Sequence, residues 1–315
     1  RALFFVTPDG SFRLASEWRS AEINALRKSP HLRYEGSSAG IGRRLSELAR
    51  ARFSPKPCGG GRVVQACAKA RPLRAAFLAL RFETRRDPTL LGFGGPSGVD
   101  RLWRGLRGLK RDGQRYHVAK VDVEQCYDTR YQARTFDLAR AALTSDSYVI
   151  FSGSKKKARA LEATDETRGA KRGRVVAREE IVQSIRSFVF DHSARLGKHV
   201  FRQVKGVAQG SVLSPLLCDL YYGDVKNRTM ATTKNPASTS SSLDLAVRVV
   251  DDVLVAHSSL EPASALVDAY AEAANRAKSV ATFPHPALTL KATSDATLEF
   301  CGIHFNCASL QVSFA

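Results

Sequence analysis

Three carboxylates stand in settings that suit cation binding and phosphoryl chemistry: Asp122, within Lys120-Val121-Asp122-Val123, and the adjacent pair Asp251 and Asp252, within Val247-Arg248-Val249-Val250-Asp251-Asp252-Val253-Leu254. Apolar β-formers run up to the pair and resume after it, which predicts a tight hairpin with both aspartates at its turn. Side chains alternate along a straight strand, so both serve one site only where the backbone turns. Asp122 is expected to end a strand carrying Val118 and Val121, just before a helix. Paired negative charge between buried strands calls for a cation, because like charges this close raise each other's pKa. An Asp-Asp turn facing water is the bland alternative, and the third carboxylate weighs against it. Hard divalent ions take a few carboxylates together with phosphate oxygens. Two Mg²⁺ ions, or Mn²⁺ in their place, would activate an attacking hydroxyl and stabilise the leaving oxygen of an in-line displacement. Asp128 is read as a cap or surface residue.

The charge balance agrees with a phosphate-rich partner. A formal charge of +19 and a pI near 10.0 over 315 residues point to a polyanion, nucleic acid ahead of an acidic membrane surface. No apolar run is long enough to span a bilayer and no signal-peptide pattern opens the chain, so no membrane partner is expected. Cys58, Cys67, Cys126, Cys218, Cys301 and Cys307 lack C-x-x-C pairing and read as reduced residues of an intracellular protein, mostly small core hydrophobes. The length allows a sizeable core and two or three subdomains. Arg1 in place of Met, and an end at Ala315 after a β-like segment, are the pattern expected of a piece of a longer protein.

Other segments must position these groups. Leu3–Val6 reads as a strand, Pro8-Asp9-Gly10 as a turn, and a helix follows with Trp18, Ile23 and Leu26. Arg52-Phe53-Ser54-Pro55-Lys56-Pro57-Cys58-Gly59-Gly60-Gly61-Arg62-Val63-Val64 reads as two short strands around a Gly-rich loop. Lys56 before the loop and Arg62 after it suit a triphosphate, with solvated cations on a hairpin as the alternative. Leu73–Arg85 and Val99–Leu109 are expected as amphipathic helices, and Pro88–Gly98 as a loop. The basic stretch Ser152–Arg178 is either a flexible insertion touching phosphates or a solvated loop. A helix with Ile181, Ile185 and Phe188 follows, then a Gly-hinged loop, Gly206–Gly210, feeding a buried helix; Gln209 beside Gly210 suits a flat base or sugar. Thr229–Ser242 reads as a surface loop and Pro262–Ala274 as a helix. Leu288–Lys291 is expected as a strand ending in a cation for the triphosphate, and Leu298–Phe314 as a final hairpin with a structural His304.

In this order the segments resemble the reverse transcriptase domain of telomerase, from the first residues to the last. Phe5-Val6-Thr7 resembles the end of that family's RNA-binding region. Arg52–Pro57 with Arg62-Val63-Val64 is similar to motifs 1 and 2, which implies that Lys56 and Arg62 contact the incoming nucleotide. Lys120–Val123 with Tyr127-Asp128 resembles motif A, implying that Asp122 and the Val123 carbonyl bind metal and that Tyr127 packs under the nucleotide sugar. Gln209–Ser214 with Tyr222-Gly223-Asp224 is similar to motif B, Val250-Asp251-Asp252 to motif C, Lys291 to the motif D lysine, and Phe300-Cys301-Gly302 to motif E, the primer grip. Ala208 stands where a proline is usual, and Phe300 where a tryptophan is common.

The resemblance implies an α+β, right-hand polymerase of fingers and palm, the palm an antiparallel sheet packed on helices. It places the end of the RNA-binding region at 1–45, fingers at 46–115, palm at 116–150, a basic insertion in fingers at 151–200 and the rest of the palm at 201–315, with no thumb. It implies an RNA-templated DNA polymerase with catalytic Asp122, Asp251 and Asp252. Its partners would be telomerase RNA as template, a telomeric single-stranded DNA primer, deoxynucleotide triphosphates and the remaining domains, at telomeres in the nucleus. Weak or no processive extension is expected of this stretch alone. The rival readings are a retroelement or group II intron reverse transcriptase and a non-catalytic nucleic-acid-binding fragment.

Overall fold

Apolar β-branched runs form strands and amphipathic runs form helices through the residues that the computed structural model describes: 4–6, 12–39, 48–55, 61–66, 70–92, 116–123, 125–151, 159–164, 173–232, 245–249, 252–274, 277–281, 297–300, 303–306 and 312–314. The chain runs β1 (Phe4–Val6), β2 (Phe12–Leu14), α1 (Ala15–Arg27), β3 (Leu32–Ser37), β4 (Ala49–Pro55), β5 (Gly61–Ala66), α2 (Ala70–Arg86), a 3₁₀ turn (Pro88–Leu91) and β6 (His117–Val123). It continues through α3 (Gln132–Ala142), β7 (Ser147–Phe151), β8 (Arg159–Glu162), β9 (Gly173–Ala177), α4 (Arg178–Phe190), β10 (Ser193–Leu196), β11 (His199–Gln203) and α5 (Ser214–Thr232). Last come β12 (Leu245–Val249), β13 (Asp252–His257), α6 (Leu260–Ala274), β14 (Ala277–Ala281), β15 (Thr297–Phe300), β16 (Ile303–Asn306) and β17 (Val312–Phe314). The class is mixed α and β with mainly antiparallel sheets, as expected. No helix among the described residues is long and apolar enough to cross a membrane.

Two compact units divide the chain. The first joins Arg1–Phe82 to Tyr131–Pro215. Its 5-stranded sheet has the order β3-β11-β10-β4-β5, with β10 parallel to β4 and β4 antiparallel to β5, the pair expected around the Gly-rich loop. Two segments of the basic stretch after Phe151, Arg159–Glu162 and Gly173–Ala177, are strands where a loop or flexible insertion was expected, while 152–158 and 165–172 lie outside the described residues. β8 and β9 flank β7 in a 3-stranded antiparallel sheet, in which buried Ala160 stands opposite buried Ile150 and buried Val176 opposite fully buried Tyr148. α4 buries Ile181, Val182, Ile185, Phe188 and Val189, and carries Glu179 and Glu180 in its first turn, where the helix dipole favours negative charge. Phe190 meets Phe136 of α3 edge-on at 5.6 Å.

The second unit joins Glu83–Arg130 to Leu216–Ala315. Its 4-stranded antiparallel sheet has the order β12-β13-β6-β14. The central strands carry an apolar core, with Val118, Ala119, Val121, Val253, Leu254, Val255 and Ala256 all fully buried; α6 packs on the sheet with Ala263, Leu266, Val267 and Tyr270 inward. Pro88–Leu91, expected as loop, is a 3₁₀ turn, with the Thr89 amide donating to the Asp87 carboxylate and Gly92 closing it at φ 64°. This turn lies against α5. Lys226 Nζ donates to the Gly92 carbonyl, Asn227 Nδ2 to the Thr89 carbonyl at 2.8 Å, and a Cβ on Gly223 would fall 2.5 Å from the Leu91 carbonyl carbon. α5 itself runs on to Thr232, past the expected start of the Ser/Thr-rich loop. The end of the chain is a 3-stranded sheet, β15-β16-β17, so the expected final hairpin gains a third strand; His304 stands in its middle strand opposite Glu299 and Ser313. The expected turn at Pro8-Asp9-Gly10, helix at Val99–Leu109 and strand at Leu288–Lys291 lie outside the described residues.

Two stability predictions follow from this packing. Gly223→Ala has no room for its methyl beside the backbone of Leu91 and Gly92, so urea melts should show a loss of about 1–3 kcal/mol, while an alanine at exposed Asn227 removes one hydrogen bond and costs about 1 kcal/mol. His192 is 8 % exposed and lies edge-on to Phe188 at 5.2 Å; burial pushes its pKa down to about 4 from 6.5. The unfolded chain therefore binds this proton first, and the stability present above pH 6.5 is lost as pH falls toward 4, by up to about 3 kcal/mol. Melts of His192→Leu between pH 7 and pH 4 should show a shallower decline than the parent.

Candidate active site

The register of β13 against β6 sets Asp252 opposite Asp122. Directly opposed residues share a sheet face with Cα atoms about 4.5–5.5 Å apart, so two carboxylates far apart in sequence become neighbours. Stepping back two residues along β6 returns to the same face at Lys120, whose Nζ lies 3.3 Å from Asp252 Oδ1 with both side chains about a quarter exposed, 25 % and 26 %. On the other side of Asp122, Lys278 is its register partner in β14.

Two expectations are corrected in detail. Asp252 is the first residue of β13 and pairs with Val249, so it belongs to the strand, with Val250 and Asp251 between the strands and outside the described residues. Asp122 does not end its strand, because Val123 continues β6 and pairs with Ala277. Nor does a helix begin there: Gln125 takes φ 53° and its carbonyl accepts from the amides of Asp128 at 2.7 Å and Thr129 at 3.1 Å. Only after this turn does α3 start, at Gln132.

A buried polar cluster supports these strands. Arg248, one residue before Val249, is 3 % exposed by side chain and donates to Asp219 of α5 at 2.7 Å, with its guanidinium 4.8 Å from the Tyr222 ring centre. Burial opposes the Arg248 charge, yet Asp219 and Cys218 outweigh it and hold its pKa above the usual value; burial pushes the Asp219 carboxyl up against the pull of Arg248. Tyr270 stacks on Tyr222 at 5.6 Å and donates its hydroxyl to the Tyr222 carbonyl at 3.0 Å. Cys126 and Cys218 are free and buried, matching their expected core role, and their mutual hydrogen bond together with burial pushes the Cys126 thiol up. Tyr127 is half-buried beside them, its hydroxyl also pushed up by burial, with the Arg130 guanidinium 5.6 Å from its ring centre. Arg130 is fully buried, and among the described residues its Nε, Nη1 and Nη2 have no hydrogen-bond partner; the Tyr127 face and the Asp219 carboxylate, whose pKa it lowers, lie within reach of its charge.

The remaining predicted residues are spread along the chain. Gln209 and Gly210 belong to the first unit, in the turn before α5, where Gly206 (φ 70°) and Gly210 (φ 96°) take left-handed backbone. Gln132 Nε2 braces this loop by donating to the Gly206 carbonyl at 3.1 Å, as does Ser214 Oγ to the Ala208 carbonyl at 2.5 Å. Arg62 lies in β5 opposite Ser54. In the second unit, Phe300 ends β15 opposite Ile303 and is 1 % exposed. Lys56, Asp251, Lys291, Cys301 and Gly302 lie outside the described residues.

Among the described residues no three His, Cys, Asp or Glu side chains converge; the pair Asp122 and Asp252 is what the fold assembles. Its donor chemistry fits a hard divalent cation, because both are carboxylates on one face. The Lys120 contact is compatible with this, since a partly hydrated ion pair contributes no more than about 1 kcal/mol and yields to a double charge. Sequence reasoning missed Lys120 and Arg248. Two signals were available: Lys120 is two residues from Asp122 on one strand, and Arg248 is a single charge inside an apolar run, where burial demands a carboxylate partner.

No protein-family model matches the chain. It is 27 % identical to the telomerase reverse transcriptase of Canis lupus familiaris over 372 aligned residues, covering 95 % of this chain and 32 % of that protein, and 26 % identical to that of Mus musculus, covering 84 % and 29 %. The chain thus spans under a third of the length of these relatives. Its fold matches telomerase from Candida albicans in complex with a TWJ fragment of telomeric RNA, with a TM-score of 0.71 at 14 % identity, over 99 % of this chain and 54 % of that one. Apo telomerase from Candida tropicalis matches with a TM-score of 0.67 at 16 % identity, over 96 % and 53 %.

Removing Arg248 leaves the largely buried Asp219 carboxylate without its ion-pair partner. Arg248→Ala should cost about 3–5 kcal/mol in denaturant melts, and the double variant with Asp219→Ala should recover part of that loss.

Proposed function

We propose that this chain, related to telomerase reverse transcriptases over nearly its whole length, carries fingers and palm of an RNA-templated DNA polymerase that extends telomeric DNA. The observation that carries the reading is the pairing of Asp122 with Asp252 on one face of the sheet, in a fold shared with solved telomerases. Asp122 and Asp252, with Asp251 and the Val123 carbonyl, would hold two Mg²⁺ ions, which would supply positive charge to activate the primer hydroxyl and stabilise the leaving oxygen.

The chain's other groups bind and orient. Lys120 pairs with Asp252 at 3.3 Å and holds its carboxylate on the face it shares with Asp122. Tyr127, wedged against Arg130, packs under the sugar of the incoming nucleotide, and Gln209 with Gly210 meets that nucleotide from a loop whose left-handed glycines let backbone approach closely. Lys56, Arg62 and Lys291 receive the triphosphate, while Phe300, Cys301 and Gly302 steady the primer end. On this reading the RNA-binding region ends within 1–45, fingers occupy 46–115 and the insertion 151–200, and the palm takes 116–150 and 201–315. The template lies in a bound telomerase RNA, the primer is telomeric single-stranded DNA, and the work is done at telomeres in the nucleus. A net charge of +19 supports backbone contacts to both strands.

Primer extension by the full-length enzyme carrying Asp122→Asn or Asp251→Ala tests this. Nucleotide addition should fall by at least about a thousandfold, since charge stabilisation carries most of the catalysis, while RNA and primer affinity stay within about threefold. Retained extension in either variant would remove the metal assignment, and equal use of arbitrary templates would favour a general reverse transcriptase.

A further inference from the structure

The first unit carries a basic cleft that the proposed chemistry leaves unused. It has a volume of ≈ 460 Å³, lies between α1, β4 and the β10–β11 turn, and is lined by Arg19, Ile23, Arg52, Leu196, Lys198 and His199. Clefts of this size hold small ligands or one nucleotide-sized piece of a polymer. Ile23 and Leu196 make an apolar floor. Arg19, Arg52 and Lys198 are exposed, and among the described residues none of their side chains is engaged in an ion pair or hydrogen bond and no carboxylate lines the cleft. Three unneutralised cations converging on one concavity repel one another, and an anion is the group that relieves them.

The geometry around His199 adds an aromatic element. Burial, then the charges of Arg27 and Lys198, hold its imidazole below the usual range, so the ring stays neutral and its Nδ1 meets the Tyr34 hydroxyl at 3.3 Å. Tyr34 is 36 % exposed, leans on Phe201 at 5.5 Å and has the Arg27 guanidinium 4.6 Å from its ring centre. Lys198 is presented by a turn fixed by Gly197 at φ 61° and by the Ser38 amide donating to the Lys198 carbonyl at 2.8 Å. Cations that take phosphates beside an exposed, braced aromatic ring are the two components of single-strand recognition: charge for the backbone and a face for a base. An acidic peptide would use the charge and leave the ring without a role.

We infer that this cleft anchors a single-stranded polynucleotide, with one or two backbone phosphates held by Arg19, Arg52 and Lys198 and a neighbouring base laid on Tyr34. The inference rests on the polymerase reading only for the class of ligand, and its test measures binding without catalysis, so failure of the metal assignment at Asp122 leaves it untouched. Fluorescence anisotropy with labelled single-stranded RNA and DNA oligonucleotides, titrated against the full chain over a range of salt, supplies the measurement. In R19Q/R52Q/K198Q the slope of log affinity against log salt should shrink by about 0.7–1.4, at roughly 0.7 per phosphate contact, and affinity at 0.1 M salt should fall about tenfold or more. Tyr34→Ala should weaken binding several-fold with the slope unchanged. Should the triple variant lose its circular dichroism signature, K198Q alone at the exposed turn replaces it, with a slope change of about 0.7. Loss confined to RNA marks a template strand, loss confined to DNA a primer strand, and loss of both a shared anchor; each supports the inference. Parental slope and affinity in the folded variants would overturn it, as would equal displacement of the oligonucleotide by polyglutamate or by tripolyphosphate at matched charge.

Discussion

The pairing of β13 with β6 in the register that opposes Asp252 to Asp122 is the constraint on which the candidate site rests. A slip of one residue would turn every side chain of a strand to the other face, carrying one carboxylate into the packed side of the sheet and leaving the other alone. The register is held by bulk rather than by the acids themselves. Val121 opposes Val253 and Ala119 opposes Val255, all fully buried, and α6 closes over them. The cost of placing like charges side by side is met by this apolar interlock and relieved locally by Lys120.

Charge is also buried on purpose beneath the hairpin. The Arg248–Asp219 pair contributes little net stability compared with an apolar pair of similar volume, because both groups lose water. The pair ties β12 to α5 through the guanidinium, its carboxylate and the Tyr222 face. On the same helix, Gly223 lets the Leu91-Gly92 backbone approach within a distance that no side chain would permit. The Tyr222-Gly223-Asp224 run is thus a packing device, with Tyr222 stacked on Tyr270 and Asp224 in an ion pair with Arg228 at 3.0 Å.

In the first unit the positive charge is sorted instead of neutralised. Some cations are paired, as Arg202 with Asp191 at 2.9 Å and Arg174 with Glu180. Those around the cleft between α1 and the β10–β11 turn are left for a ligand. The same excess of charge therefore serves two ends, surface ion pairs that fix local structure and an open site for phosphate.

Much of this was written in local pattern. The apolar runs around Asp122 and Asp252, the amphipathic spacing of Ile181, Ile185 and Phe188, and the glycines at Gly206 and Gly210 announce strands, a helix and a left-handed loop, because each depends on side-chain alternation or on backbone freedom within a few residues. Where one residue's role depends on a distant one, the sequence was silent or misleading. The charged segment after Phe151 read as either a flexible insertion touching phosphates or a solvated loop, whereas Tyr148 and Ile150, supplied by β7, stand opposite Val176 and Ala160 in the strands Gly173–Ala177 and Arg159–Glu162. Asp252 looked like a turn residue until β6 came alongside and made it the opening of a strand. Residue types and spacing by themselves determined that this protein has carboxylates suited to cations and a chain suited to polyanions. Which carboxylate faces which, and which cations stay unpaired, was decided by tertiary structure alone, because register and ion pairing are contacts between segments that no local preference encodes.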